Sequence, residues 1–165
     1  MGEAEDPFQP LLDDHAEFLE KLNELEAVLD EMMNTREATE GNRELLDEAA
    51  RFFEDELLPH FRREDEVVLP PLEAKIGRFG TLVNVVAYEH DEIRREVAKF
   101  NEARTELASS KDPWPAIQEL NRHGIFTIQF LWDHFRKEKV SLFPTAAIAL
   151  AAEQLAGIGR QLAHR

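Results

Sequence analysis

The sequence predicts an all-α protein, an antiparallel up-down-up-down four-helix bundle with a short fifth helix at the C-terminal side. Three observations predict it. Apolar residues recur at three- and four-residue steps along four long segments, and no segment alternates as a strand would. Short polar or Gly/Pro-containing stretches separate those segments, as connections between neighbouring bundle helices do. The second half also repeats the first: His60-Phe61-Arg62-Arg63-Glu64 running on to Pro70 returns as His134-Phe135-Arg136-Lys137-Glu138 running on to Pro144. A chain of 165 residues suits one domain with a real core, with the bundle over about 10–145 and a last helix over about 145–163.

The first helix is expected from Pro10 to Met33, with Leu11, Leu12, His15, Phe18, Leu19, Leu22, Leu25, Leu29 and Met32 on one stripe. Asn34 to Asn42 is polar and holds Gly41, which reads as a loop. The second helix starts near Asn42 and turns Leu46, Ala49, Phe53, Leu57, His60, Glu64, Val67 and Val68 inward. Pro59 removes an amide donor inside it, so a kink is expected before His60, and Pro70-Pro71 should end or break the helix. Residues 76–80 form a turn. The third helix runs from Thr81 to Ser109, with Val83, Val86, His90, Ile93, Arg94, Val97 and Phe100 inward. Pro115 suits the first turn of the fourth helix, which reaches Lys139 and faces Ile117, Leu120, Thr127, Phe130, Leu131, His134 and Glu138 inward. Thr145 to Leu162, rich in Ala, makes the fifth.

The repeat carries chemistry as well as fold. His15 and His90 stand at equivalent places in the two halves, in matching acidic settings, so the chain contains two copies of one unit, a lone His followed by His-x-x-x-Glu. Residues four apart on a helix are separated by roughly 40° and about 6 Å, so His60 shares a face with Glu64 and His134 with Glu138. Those faces are the apolar ones. A buried, unpaired carboxylate is very costly unless it pairs or binds metal.

The depths agree too. His15 precedes Asn34 by nearly the same interval as that by which His60 follows Asn42, and His90 and His134 stand equally far from the second connection. At about 1.5 Å per residue all four sit roughly 27–29 Å from their loops. Imidazole plus carboxylate without thiolate suits iron, manganese or zinc. Two carboxylates able to bridge in a bundle core resemble those of carboxylate-bridged di-iron proteins, and the site this implies holds two irons, each with two His, bridged by Glu64 and Glu138, with manganese or zinc as possible substitutes.

At these residues the chain resembles the hemerythrin-like family, the HHE cation-binding domain, over about residues 10–145. The matching positions are His15, His60 with Glu64 and the following Asp65-Glu66-Val67-Val68-Leu69-Pro70, His90, and His134 with Glu138 and Leu142-Phe143-Pro144. The resemblance implies an antiparallel four-helix bundle around a non-haem, oxo- or hydroxo-bridged di-iron centre. The family's oxygen carriers bring a fifth His four residues after the first in the third helix, where this chain has Arg94. Their last carboxylate is an Asp five residues after the final His, where this chain has Glu138 at four. In this it is similar to the broader HHE group, which is linked to peroxide decomposition, nitric oxide or O2 sensing, and iron sensing. The implied partner is a small diatomic or peroxide ligand. The implied function is binding or reaction with O2, peroxide or nitric oxide, catalase-like turnover included. The alternative is a metal- or O2-sensing interaction module without turnover.

Around the ligand set, Arg94 either donates hydrogen bonds near an open iron position or pairs with a bridging Glu. Glu56, one turn before His60, has the geometry to orient that imidazole. Asp14, Glu89 and Asp133 directly precede ligand histidines and are candidate acceptors that would fix the imidazole tautomer, but neighbours on a helix diverge by about 100°, which favours a solvated acidic surface. Phe53, Phe61, Phe130 and Phe135 are expected to keep the site dry. Tyr88 and Trp132 flank ligands and are expected to pack, the alternative being to gate access or carry electrons, and His123, eleven residues before His134, is expected to be structural.

Composition narrows the rest. The net charge of −15, from 34 acidic against 19 basic residues, argues against nucleic acid or an anionic membrane as partner. With no cysteine there are no thiolate metal sites. Met1 to Asp6 is acidic and unlike a signal peptide, and no apolar stretch is long enough to span a bilayer, so a cytoplasmic location is expected.

Overall fold

The structure, a computed structural model, describes residues 6–164; the reading of Met1 to Asp6 falls, apart from Asp6, outside them. It is an all-α helical bundle, with no strand among the described residues. The elements are α1 (Gln9–Thr35), α2 (Glu40–Phe52), π1 (Phe53–Leu57), α3 (Leu58–Arg63), π2 (Glu64–Val68), α4 (Leu69–Ile76), α5 (Leu82–Ser109), α6 (Trp114–Lys137), π3 (Glu138–Leu142), α7 (Phe143–Ala149) and α8 (Ala152–Ala163). From α2 to α4, and again from α6 to α7, the segments join end to end. They form two continuous helical rods, over 40–76 and 114–149, beside the rods of α1 and α5.

Local chemistry sets the ends. Arg36 closes α1 in the left-handed conformation, its N–H reaching the Met32 carbonyl. The Thr39 hydroxyl accepts from the Asn42 N–H at 3.0 Å, while the Asn42 side chain accepts from the Thr39 N–H at 3.0 Å. This reciprocal cap starts α2 at Glu40, so the loop is shorter than the predicted Asn34–Asn42. Thr39→Ala is expected to cost about 1 kcal/mol, read as a shift in the denaturant midpoint. Gly77 and Gly80 take positive φ in the predicted turn, and Thr81 caps α5. At Gly124 a Cβ would stand 2.6 Å from Leu29 Cδ1, so α6 crosses α1 closely there.

Two expectations about proline need correction. Pro70-Pro71 does not end its helix, and the fourth helix does not stop at Lys139 but runs on through Pro144; both prolines lie at the start of helical segments that continue the rod. Pro59, where a kink is predicted, stands in the same setting. Each of the three prolines follows a five-residue π-helical segment, and the residue before it closes a five-residue step: Leu58 N–H to Phe53 O, Leu69 N–H to Glu64 O, Phe143 N–H to Glu138 O. In an α-helix the proline ring would clash with the carbonyl four residues back. Widening the turn moves that carbonyl aside, so the helix absorbs the proline as a π-bulge. For the same reason the predicted fifth helix is divided. Its first part, α7, prolongs the fourth rod, and α8 alone stands apart after the extended residues Leu150 and Ala151.

The buried apolar residues form two clusters. One gathers Phe18, Leu22, Leu29, Phe53, Phe61, Ile93, Phe100, Leu131 and Phe135 with their neighbours. The other gathers Phe8, Leu11, Val68, Leu72, Val83, Val86, Leu142 and Phe143, and α8 joins it through Ile158 and Leu162. Along every rod the change from one cluster to the other falls at the predicted ligand positions, between Leu11 and Phe18, Phe61 and Val68, Val86 and Ile93, and Phe135 and Leu142. A polar layer therefore separates two apolar cores.

Candidate metal centre

That layer is built by four rods. His15 comes from α1, His60 from α3 with Glu64 opening π2, His90 from α5, and His134 from α6 with Glu138 opening π3. All six are buried; Glu64, His90, His134 and Glu138 have no exposed surface. Each imidazole turns Nε2 to the centre. His15 Nε2 lies 3.2 Å from His60 Nε2 and 3.2 Å from Glu138 Oε1. His60 Nε2 lies 2.6 Å from Glu64 Oε1, His90 Nε2 3.8 Å from Glu64 Oε2, and His134 Nε2 3.2 Å from Glu138 Oε1.

The six groups fall into two overlapping quartets, His15 with His60, Glu64 and Glu138, and His90 with His134, Glu64 and Glu138. Within each, the ligand atoms lie within 4.8 Å of one another. The quartets share both carboxylates. Among the described residues, nine buried polar side-chain atoms lack a hydrogen-bond partner, and six belong to this cluster: both oxygens of Glu64, both of Glu138, and Nε2 of His90 and His134. Several of them are close neighbours, but without hydrogen-bond geometry. Buried polar atoms are normally satisfied, so a concentration of orphans on metal-ligating atom types fits a cation among them.

A profile of the hemerythrin HHE cation binding domain matches residues 6–146. The chain belongs to that family. No curated protein matches it. The matched span holds all six cluster residues and stops before α8. No helix among the described residues is long and apolar enough to cross a membrane.

The carboxylates that orient the imidazoles of this HHE domain do not include Glu56, the one preferred from the sequence; Asp14 and Glu89, for which solvent is the favoured sequence reading, serve, and so does Asp65. His60 Nδ1 donates to Asp14 Oδ2 at 2.9 Å, His90 Nδ1 to Asp65 Oδ1 at 2.8 Å, and His134 Nδ1 to Glu89 Oε1 at 3.0 Å. Each acceptor is adjacent in sequence to a cluster residue of its own helix and points to the histidine of another. The divergence of about 100° that separates Asp14 from His15 carries it round to the neighbouring rod. The doubled Asp14-His15 and Glu89-His90 pairs, at equivalent places in the two repeats, were the available signal. Glu56 instead pairs with Lys21 at a partly exposed position. Arg94 pairs with neither Glu64 nor Glu138; it bonds Asp65 at 2.6 Å and Asp91 at 2.9 Å.

Rings seal the cluster. Phe135 stacks on His15 at 4.2 Å between centroids and Phe61 on His90 at 4.3 Å, while the edge of Phe18 meets His60 at 5.2 Å. Phe143, named for its motif and not as a seal, lies 6.1 Å from His15. Phe53 and Phe130 pack in the first apolar cluster, Phe130 only partly buried. Tyr88 and Trp132 stand on the surface, 59% and 48% exposed, not packed as expected. His123 is outside the cluster, held between Glu96 at 2.6 Å and Glu119 at 3.2 Å, and His164 is exposed.

Burial holds His15 down to about 3, with His60 adding to it, against the pull of Glu64 and Asp14. Burial likewise lowers His134. Burial also opposes the charged form of His60, but Glu64 and the bond to Asp14 outweigh it and raise His60. Burial would raise Glu64, yet His60, His90 and His134 bring it down to about 2. A lowered histidine contributes stability above its unfolded value of 6.5 that is lost as pH falls through its folded value. A raised one, His60, contributes below 6.5 and loses it as pH rises. Glu64 contributes above 4.5 and loses it only toward about 2. Below 6.5 His60 is charged in both the folded and the unfolded chain and adds no slope, so the metal-free domain is expected to lose stability as pH falls from about 6.5 toward 4, by about 1.4 kcal/mol per pH unit from His15, with His134 adding to the loss in the same direction. Urea midpoints measured across that window check the sign.

Proposed function

We propose that this HHE domain is a non-haem di-iron protein that binds or reacts with O2, peroxide or nitric oxide. The observation that carries the proposal is the pair of overlapping quartets sharing Glu64 and Glu138. Two histidines and two shared carboxylates per position match two hard-to-borderline divalent ions, and the absence of thiolate suits iron, with manganese or zinc as substitutes. His15 and His60 would hold one ion, His90 and His134 the other, and each carboxylate would serve both. Bound there, two ferrous ions would supply the electrons and the coordination positions that such small ligands need.

The protein's own part is distinct from the metal's. Asp14, Asp65 and Glu89 keep the proton on Nδ1 of three imidazoles, which leaves Nε2 free to bind metal. Phe18, Phe61, Phe135 and Phe143 exclude bulk water, which limits loss of reactive species.

One observation favours a second reading, a sensor without turnover. Arg63 lies 3.7 Å from Asp14, the partner of His60, and also bonds the Leu162 carbonyl of α8. The site thus touches a helix outside the family match. Metal analysis followed by a peroxide assay separates the readings. Reaction chemistry predicts about two irons per chain, a near-ultraviolet band and O2 release or ligand-dependent bleaching. Iron without any response to O2, peroxide or nitric oxide would overturn it.

A further inference from the structure

Outside the cluster, three cations stand in one recurring relation to it. On each of three rods a basic residue lies three or four positions after a cluster histidine: Arg63 after His60, Arg94 after His90, Lys137 after His134. Each pair grips one carboxylate from another element. His60 Nδ1 and Arg63 Nη1 meet Asp14 of α1 at 2.9 and 3.7 Å. His90 Nδ1 and Arg94 Nη2 meet the two oxygens of Asp65 at 2.8 and 2.6 Å. His134 Nδ1 and Lys137 Nζ meet the two oxygens of Glu89 on α5 at 3.0 and 2.5 Å.

Two of these clamps are copies of each other under the internal repeat. Asp14, His60 and Arg63 of the first half become Glu89, His134 and Lys137 in the second. The third has no copy. Where symmetry would place the partners of His15, the chain has Leu19 for Arg94 and Lys139 for Asp65. Among the described residues no carboxylate meets His15 Nδ1, and the ring is held by Phe135 instead.

We propose that Arg63, Arg94 and Lys137 are positioning residues for the metal centre, each fixing the carboxylate that in turn fixes an imidazole. The proposal rests on the reading of the cluster as a metal site. A carboxylate held only by an imidazole keeps rotamers that turn it to water; a second, charged bond removes them. Asp65, whose side chain is 29% exposed, has the most freedom to swing out, against 10% for Glu89 and 5% for Asp14. Arg94 therefore matters most and Arg63, with the longest contact, least.

Cobalt(II) titration of the whole metal-free chain, followed by visible absorption, tests this. Arg94→Ala is expected to weaken cobalt binding by roughly 10- to 100-fold and to alter the bands, as loss of outer partners of a ligand does. Arg94→Lys should recover part of the loss. On an Asp65→Asn background Arg94→Ala should add nothing, because the arginine acts only through that carboxylate. Arg104→Ala is the control: it breaks a comparable ion pair between helices, with Asp47 at 2.7 Å, that touches no histidine, and should leave affinity within about twofold. Arg94→Ala within about twofold of the parent, an additive effect on Asp65→Asn, or an equal loss in Arg104→Ala would each overturn the positioning role. If Asp65→Asn does not fold, the comparison of Arg94→Ala, Arg94→Lys and Arg104→Ala still decides. A parent chain that takes up no cobalt overturns the metal reading and this role together; uptake undiminished in Arg94→Ala overturns this role alone.

Discussion

Glu64→Ala and Glu138→Ala are each expected to cut metal content from about two ions per chain to below one, because each carboxylate belongs to both quartets. Removing one therefore strips a ligand from both positions. A histidine on one side, such as His15, belongs to a single quartet, so His15→Ala should spare the other position more than either Glu variant does. His123→Ala should retain both ions, since its ring is engaged by Glu96 and Glu119 away from the cluster. Elemental analysis of the purified variants checks the set. Retention of both ions in the two Glu variants would refute the shared-carboxylate assignment.

The second large effect is on stability. Metal loading is expected to raise the melting temperature by about 10 °C, since an ion at a thousandfold over its Kd stabilises by about 4 kcal/mol and a domain of this size shifts by roughly 2–4 °C per kcal/mol. Chelation should reverse the shift.

The cause lies in the orphaned atoms. Both oxygens of Glu138 are fully buried and lack protein hydrogen bonds. Glu138→Leu should therefore move the two forms in opposite directions, removing metal uptake while making the metal-free protein more stable by about 1–3 kcal/mol. Calorimetry on matched metal-free samples reads this directly. A metal-free Glu138→Leu protein less stable than its parent would show that the carboxylate serves the fold itself.

Much of this protein was legible because periodicity and spacing are local properties. A helix repeats about every 3.6 residues, so the inward stripes, the doubled His-x-x-x-Glu and the common depth of four histidines follow from residue order alone. That depth agrees with the polar layer between the two apolar cores. The prolines misled for a related reason. Clash with an ideal α-helix says only that the helix must change, and a π-bulge relieves the clash as well as a break does. The six-residue cluster depended on the helical phase being maintained, and it is: His60 and His134 precede π2 and π3, and Glu64 and Glu138 open them.

What residue order determined by itself was the helical class, the rods, and the six side chains that face inward at one level, because each of these is set within a single helix. What only the tertiary structure decided was every pairing between rods. Asp14 reaches His60, Asp65 reaches His90, Glu89 reaches His134, and Arg94 grips Asp65. A helical wheel gives the direction in which a side chain leaves its own axis. Which group it then meets depends on the rotation and separation of the neighbouring rods, and those are fixed by the packing of the two apolar cores.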